Sequence, residues 1–121
     1  MLRSWPAAEM GRKLDLRAAL VEDPNPLTAP PAWVNGELAR MHGDVVLHAG
    51  GGRLDGSWHR QDGDECLVVL AGELVVELDE GPLRACAGEA ILIGAGERHR
   101  ASVPVDCLLL SIEPAGMQRS D

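Results

Sequence analysis

From Glu37 onward, short apolar runs alternate with turn signals at nearly regular intervals: Gly43-Asp44, Gly50-Gly51-Gly52, Gly63-Asp64, Gly72-Glu73, Glu80-Gly81-Pro82, Gly88-Glu89, Gly94-Ala95-Gly96 and Pro104-Val105-Asp106. Runs this short, bounded by glycine, proline and aspartate, describe antiparallel strands. The pattern predicts strands over 37–42, 45–49, 53–60, 65–71, 73–79, 83–87, 90–93, 98–103 and 107–113. An all-β sandwich or barrel follows. Cys66-Leu-Val-Val-Leu-Ala71 is apolar at both parities, so that strand lies between the lumen and a second layer or a subunit interface. The first third is irregular. Residues 13–21 carry Leu14, Leu16 and Leu20 at spacings that do not separate two helical turns from a strand. The segment 23–31 holds four prolines and is read as an extended loop. The resulting division is an N-terminal extension packing on the barrel (1–36), the barrel (37–114) and a C-terminal tail (115–121).

Composition sharpens this picture. A chain of 121 residues suits one domain. Leu, Val and Ile number 30 and Ala 15, with no Phe or Tyr and only Trp5, Trp33 and Trp58 for aromatics, so the core must be aliphatic. A formal charge of -8 repels phosphate backbones and anionic headgroups, and the few rings offer little base stacking. Neither nucleic acid nor membrane is expected as a partner. With no long apolar run and a carboxylate, Glu9, where a signal peptide needs apolar residues, the chain is read as cytoplasmic. Cys66, Cys86 and Cys107 form no CxxC pair and are read as small buried residues.

Chemistry gathers around two of the four histidines. His59 and Gln61 stand two apart, so in a strand they face one side together; after the turn Asp62-Gly63-Asp64, Glu65 opens the next strand, where its carboxylate can meet them. Further on, Gly88 is followed after five residues by Gly94-Ala95-Gly96 and, two residues later, by His99. His42 and His48 are read as hydrogen-bonded core histidines, with Glu65 or an unplaced histidine such as His48 the candidates for general-base chemistry, and Arg98 and Arg100 as solvated or interface charges flanking His99.

These two patterns resemble the paired motifs of the small single-domain cupins, over about residues 45 to 114. The first cupin motif runs glycine, about five residues, His-x-His, three or four residues, Glu, six residues, Gly; the second runs Gly, five residues, Pro-x-Gly, two residues, His. Trp58-His59 matches the family's Trp-His opening. The resemblance implies a double-stranded β-helix or jelly-roll barrel, a homodimer, and one divalent metal ion (Fe, Mn, Ni or Zn) held by His59, Glu65 and His99 with Gln61 at the fourth position. Three departures stand out. Gln61 replaces the second histidine of His-x-His, Gly94 replaces the proline of the second motif, and the first glycine is out of register at Gly52. An amide oxygen is a harder and weaker donor than imidazole, so Gln61 lowers the expected metal affinity.

Two imidazoles and a carboxylate with open positions suit Lewis-acid or oxygen-activating chemistry. The enzyme branch comprises a metal-dependent oxygenase and, as the resemblance to sugar-modifying cupins implies, a sugar isomerase or epimerase. The alternative is a non-catalytic barrel that binds or senses a small molecule, and the fold does not choose between them.

Overall fold

The computed structural model describes residues 11–20 and 33–121. A single helical turn, α1 (Leu16–Ala19), is followed by nine strands: β1 (Val34–Met41), β2 (Val45–Asp55), β3 (Arg60–Gln61), β4 (Glu65–Ala71), β5 (Glu73–Leu78), β6 (Gly81–Cys86), β7 (Ala90–Ile93), β8 (His99–Pro114) and β9 (Arg119–Ser120). The proline-rich segment 23–31 lies outside the described residues. Asp15 caps α1, its carboxylate accepting from the Ala18 N–H at 3.1 Å. Among the described residues no helix is long and apolar enough to cross a membrane.

The barrel is organised by β8. The main sheet runs β1-β2-β8-β4-β7, and β8 also pairs with β5, which carries β6. The two ends of β8 serve different partners: His99–Ser102 pair with β5, and Leu108–Ile112 with β4. Two expected pairs of strands prove to be joined. The strand over 45–49 and the first half of that over 53–60 join as β2 through the three glycines, residues 56–58 break the second and leave Arg60 in β3, and the strands over 98–103 and 107–113 join as β8 through Pro104-Val105-Asp106. The glycines there serve close packing rather than a turn. A Cβ on Gly50 would lie 2.4 Å from the Trp33 ring, and one on Gly51 would lie 2.7 Å from Leu20, so β2 is sandwiched between them. The β2–β8 register slips between Gly52 and Leu54, opposite 104–106, so the second turn signal is a bulge inside the ladder. A true turn stands at Gly72 (φ 80), where a Cβ would meet the Asp106 carbonyl oxygen at 2.1 Å. His42 is not a core residue. It sits exposed in the β1–β2 turn with φ 56, beside Gly43.

The interior is aliphatic, as the composition requires: Leu67, Val69, Leu74, Val76, Ile91, Ile93, Val103 and Leu109 pack with Ala85 and Cys107. Of the cysteines only Cys107 is buried, its thiol pushed up by desolvation; Cys86 is exposed and Cys66 half-buried. Leu74 is 1% exposed within the packed core, and Leu74→Ala is expected to cost about 3 kcal/mol, read as a lower urea midpoint at unchanged slope.

The outer face of the main sheet is apolar too. The register aligns Leu47, Ile112, Cys66 and Leu92 in one cross-strand row, and Ala49, Leu110, Val68 and Ala90 in the next. At the β1–β2 end α1 lies close on this face, the Ala19 carbonyl against Gly36 and Leu20 against Gly51. At the β7 end Leu92 stays 70% exposed and Leu70 is exposed as well.

Candidate active site in the barrel cavity

A cavity of about 380 Å³ opens on the inner face of β2, β4 and β8. Strand parity decides which residues line it. His48 of β2, Glu65 and Leu67 of β4, and Leu109, Ser111 and Glu113 of β8 alternate with the outward residues of the apolar face. The floor is aliphatic and the rim polar, which suits a small molecule that carries both characters.

Two acid–base elements face this space. His48 Nδ1 and Glu113 Oε1 lie 2.5 Å apart, the two residues sitting diagonally across the β2–β8 ladder. A carboxylate only accepts, so Nδ1 carries the proton and Nε2 is left with a lone pair. Glu65 is the second element. Its carboxylate accepts from Ser111 Oγ at 3.3 Å and from the Gln61 amide. Burial first, and the charge of Glu113 second, push its pKa above the ordinary carboxylate value, against those two hydrogen bonds and Arg119. A carboxyl so placed keeps its proton to higher pH and can give it to a bound ligand.

The expected metal ligands divide into two groups. His59 and His99 come together: their backbones exchange two hydrogen bonds of 2.9 Å in an isolated antiparallel bridge, and their rings lie 4.4 Å apart at 58°. Each ring holds a carbonyl two residues earlier through Nδ1, His59 to Ser57 and His99 to Glu97, both at 2.8 Å. His99 is 1% exposed, and its burial, with His59 and Arg119 nearby, holds its pKa below the ordinary histidine value despite the Glu97 carbonyl. Glu65 does not join them. Gln61 stands between, with Oε1 2.9 Å from His59 Nε2 and its amide nitrogen toward Glu65 and, at 3.5 Å, the Met117 sulfur. Since Nδ1 of His59 already donates to Ser57, the Nε2 contact is satisfied by an imidazolium, or by Gln61 turned so that its NH₂ donates.

The donor set was tested on this geometry for a metal ion. The Nδ1 bonds are those that orient metal-ligating imidazoles. The nitrogen that His59 would offer is nonetheless taken up by Gln61, and Glu65 is engaged by Gln61 and Ser111. Among the described residues no three His, Cys, Asp or Glu side chains gather closely enough to hold a metal ion. The residues in this arrangement therefore do not fit a centre of two imidazoles and one carboxylate.

The flanking arginines are surface charges. Arg98 lies 4.6 Å over the Trp58 ring and 3.6 Å from Asp79; Arg100 pairs with Glu77 at 3.0 Å and Asp55 at 3.6 Å. The sequence offers His48 only as an unplaced candidate base, and it does not single out Ser111, Glu113 or Arg119 as cavity residues. The alternation Leu109, Ser111, Glu113 was the available signal, since residues two apart share a face; nothing local tied it to His48 on another strand.

The C-terminal residues are not a loose tail. Gly63 lies against Pro114 and Met117, Asp62 exchanges hydrogen bonds with Gln118, and β9 pairs with β3 so that Arg119 stands opposite Gln61. This strap brings Met117 and Arg119 to the cavity.

Comparison with known proteins agrees with this architecture. Residues 43–113 match the family described as cupin domain. Among solved structures, the chain is similar to the polyketide cyclase RemF from Streptomyces resistomycificus, at 19% identity and TM-score 0.69, covering 93% of this chain and 85% of that one. KdgF from a Halomonas species is similar at 18% identity and TM-score 0.67, covering 86% and 93%. A cupin-2 domain containing protein from Shewanella frigidimarina is 26% identical with TM-score 0.61, covering 71% and 84%. No curated protein matches the chain in sequence.

Proposed function

The chain belongs to the cupin family, and from that premise we propose that it binds a small polar molecule in the barrel cavity and moves protons on it with its own side chains. The observation that carries this reading is the pairing of a base oriented by Glu113, His48, with a buried carboxyl, Glu65, on the walls of one cavity. In the proposed step His48 Nε2 takes a proton from the carbon beside a ligand carbonyl while Glu65 gives its proton to the carbonyl oxygen. The C–H bond breaks, an O–H bond forms, and the product is the enol. Return of the proton from His48 to the same carbon, as Glu65 takes back the enol proton, completes an epimerisation; on an α-hydroxy carbonyl ligand, protonation of the former carbonyl carbon by His48 as Glu65 takes the proton of the original hydroxyl completes an isomerisation. This keeps the isomerase branch of the sequence reading without routing it through a metal; the oxygenase branch requires one. The similar polyketide cyclase and KdgF support a small-molecule cavity, and at their identities they share the fold alone.

The test uses dihydroxyacetone as probe, incubated with the protein in D₂O and followed by NMR for exchange of its carbon-bound hydrogens, with and without a chelator. Exchange that survives chelation and is lost in Glu65→Gln supports the reading. Exchange that disappears on chelation and returns with added iron or manganese restores the metal-dependent alternative. Saturable binding with no exchange leaves the non-catalytic binding module.

We also propose a homodimer formed through the apolar outer face of β4 and β7, where Leu92 and Leu70 are exposed. Leu92→Glu is expected to shift the mass seen by light scattering from dimer to the 12.9 kDa chain. A parent protein that is monomeric at every concentration overturns this.

A further inference from the structure

Among the described residues Arg119 is the one lysine or arginine that lines the cavity, and the strap places it there firmly. Its backbone pairs with Gln61, while the residues before it are tied down by the Asp62–Gln118 hydrogen bonds and by Gly63 packing on Met117. Among the described residues the exposed guanidinium has no carboxylate within 4 Å, although Arg40, Arg53, Arg84, Arg98 and Arg100 all have one. On a chain of net charge -8, an arginine held at a cavity without an ion-pair partner is an unused anion site.

We propose that the ligand of this cavity carries a carboxylate, which Arg119 receives in a two-pronged ion pair at the cavity mouth while the ligand's apolar body rests on Leu54, Leu67, Leu74 and Leu109. The charge on the walls selects a monoanion. Arg119 offers a single positive charge, and Glu113, engaged by His48, adds a negative one on the same walls. A dianionic phosphate would leave one charge uncompensated beside Glu65 and Glu113, whereas a carboxylate matches the planar fork of arginine in both shape and charge. Hydroxyl or carbonyl groups further along the ligand would meet Ser111 and Glu65. This inference rests on the cavity being a ligand site and adds the chemical class of the ligand.

The probes are 4-hydroxybenzoate, its amide 4-hydroxybenzamide, and phenyl phosphate, titrated into the full chain with the Arg119 Nε–H and the cavity backbone amides followed by NMR. The acid is expected to shift the Arg119 signal and bind more tightly than both other probes. Arg119→Gln should weaken the acid at least about tenfold and leave the amide unchanged, with Arg119→Lys between the two because it keeps the charge and loses the fork. Equal affinity of the acid for the parent and Arg119→Gln overturns the proposal, as does phenyl phosphate binding more tightly than the acid. If the amide binds as well as the acid, the carboxylate assignment falls and the cavity reading stands. If no probe shifts any cavity amide, both fall.

Discussion

His48→Ala is expected to slow carbon-bound proton exchange on the probe ketone by about 100- to 10,000-fold, the range spanned by loss of a positioned general base. Among the described residues no other histidine lines the cavity: His42 lies in an exposed turn, and His59 and His99 lie outside the lining. The fold should survive, because His48 is only half-buried and its neighbours Leu47 and Ala49 face the other side of the sheet. Glu113→Gln tests the same pair from its other member. An amide can still accept from Nδ1 but no longer stabilises the imidazolium formed when His48 takes the proton, so the loss should be smaller than for His48→Ala. Initial exchange rates at matched protein concentrations, with circular dichroism to verify folding, check both. A His48→Ala variant within about threefold of the parent removes His48 from the reaction.

Gln61→His is expected to raise zinc and nickel affinity on the order of 100-fold, because it adds an imidazole between His59 and Glu65, where the carboxamide now links the two. Manganese should gain less, since harder cations draw less from nitrogen donors. The gain should shrink as pH falls through the imidazole range, because the added ring must lose its proton before it can bind. Chelator competition at two pH values measures each of these effects. Equal affinities in parent and variant would mean that position 61 does not face the ion, and tight stoichiometric zinc in the parent would mean that the four residues rearrange into a centre that this conformation lacks.

The two predictions concern residues that were legible to different degrees. Gln61 could be singled out from the sequence because the first motif keeps its spacing around it, and spacing along one strand and one hairpin fixes which residues are neighbours. His48 could not. Its role depends on Glu113, 65 residues away, and a contact of that separation is set by strand order and register, which alternation within a strand does not encode. The same division runs through the fold. Short apolar runs between glycines and prolines determined strands, an aliphatic barrel and its two-faced β4, because the period-2 pattern is a local property of the chain. Whether Gly50-Gly51-Gly52 and Pro104-Val105-Asp106 turn or continue was decided only in three dimensions. Glycine permits both outcomes, and the choice fell to Trp33 and Leu20 packing on the two faces of β2, and to β8 needing its full length to serve three partners. The site divides in the same way. Spacing within each hairpin marked His59 and His99, while tertiary packing bridged their segments, turned Glu65 toward Ser111, seated His48 on Glu113 and folded the C-terminal strap so that Arg119 reaches the cavity.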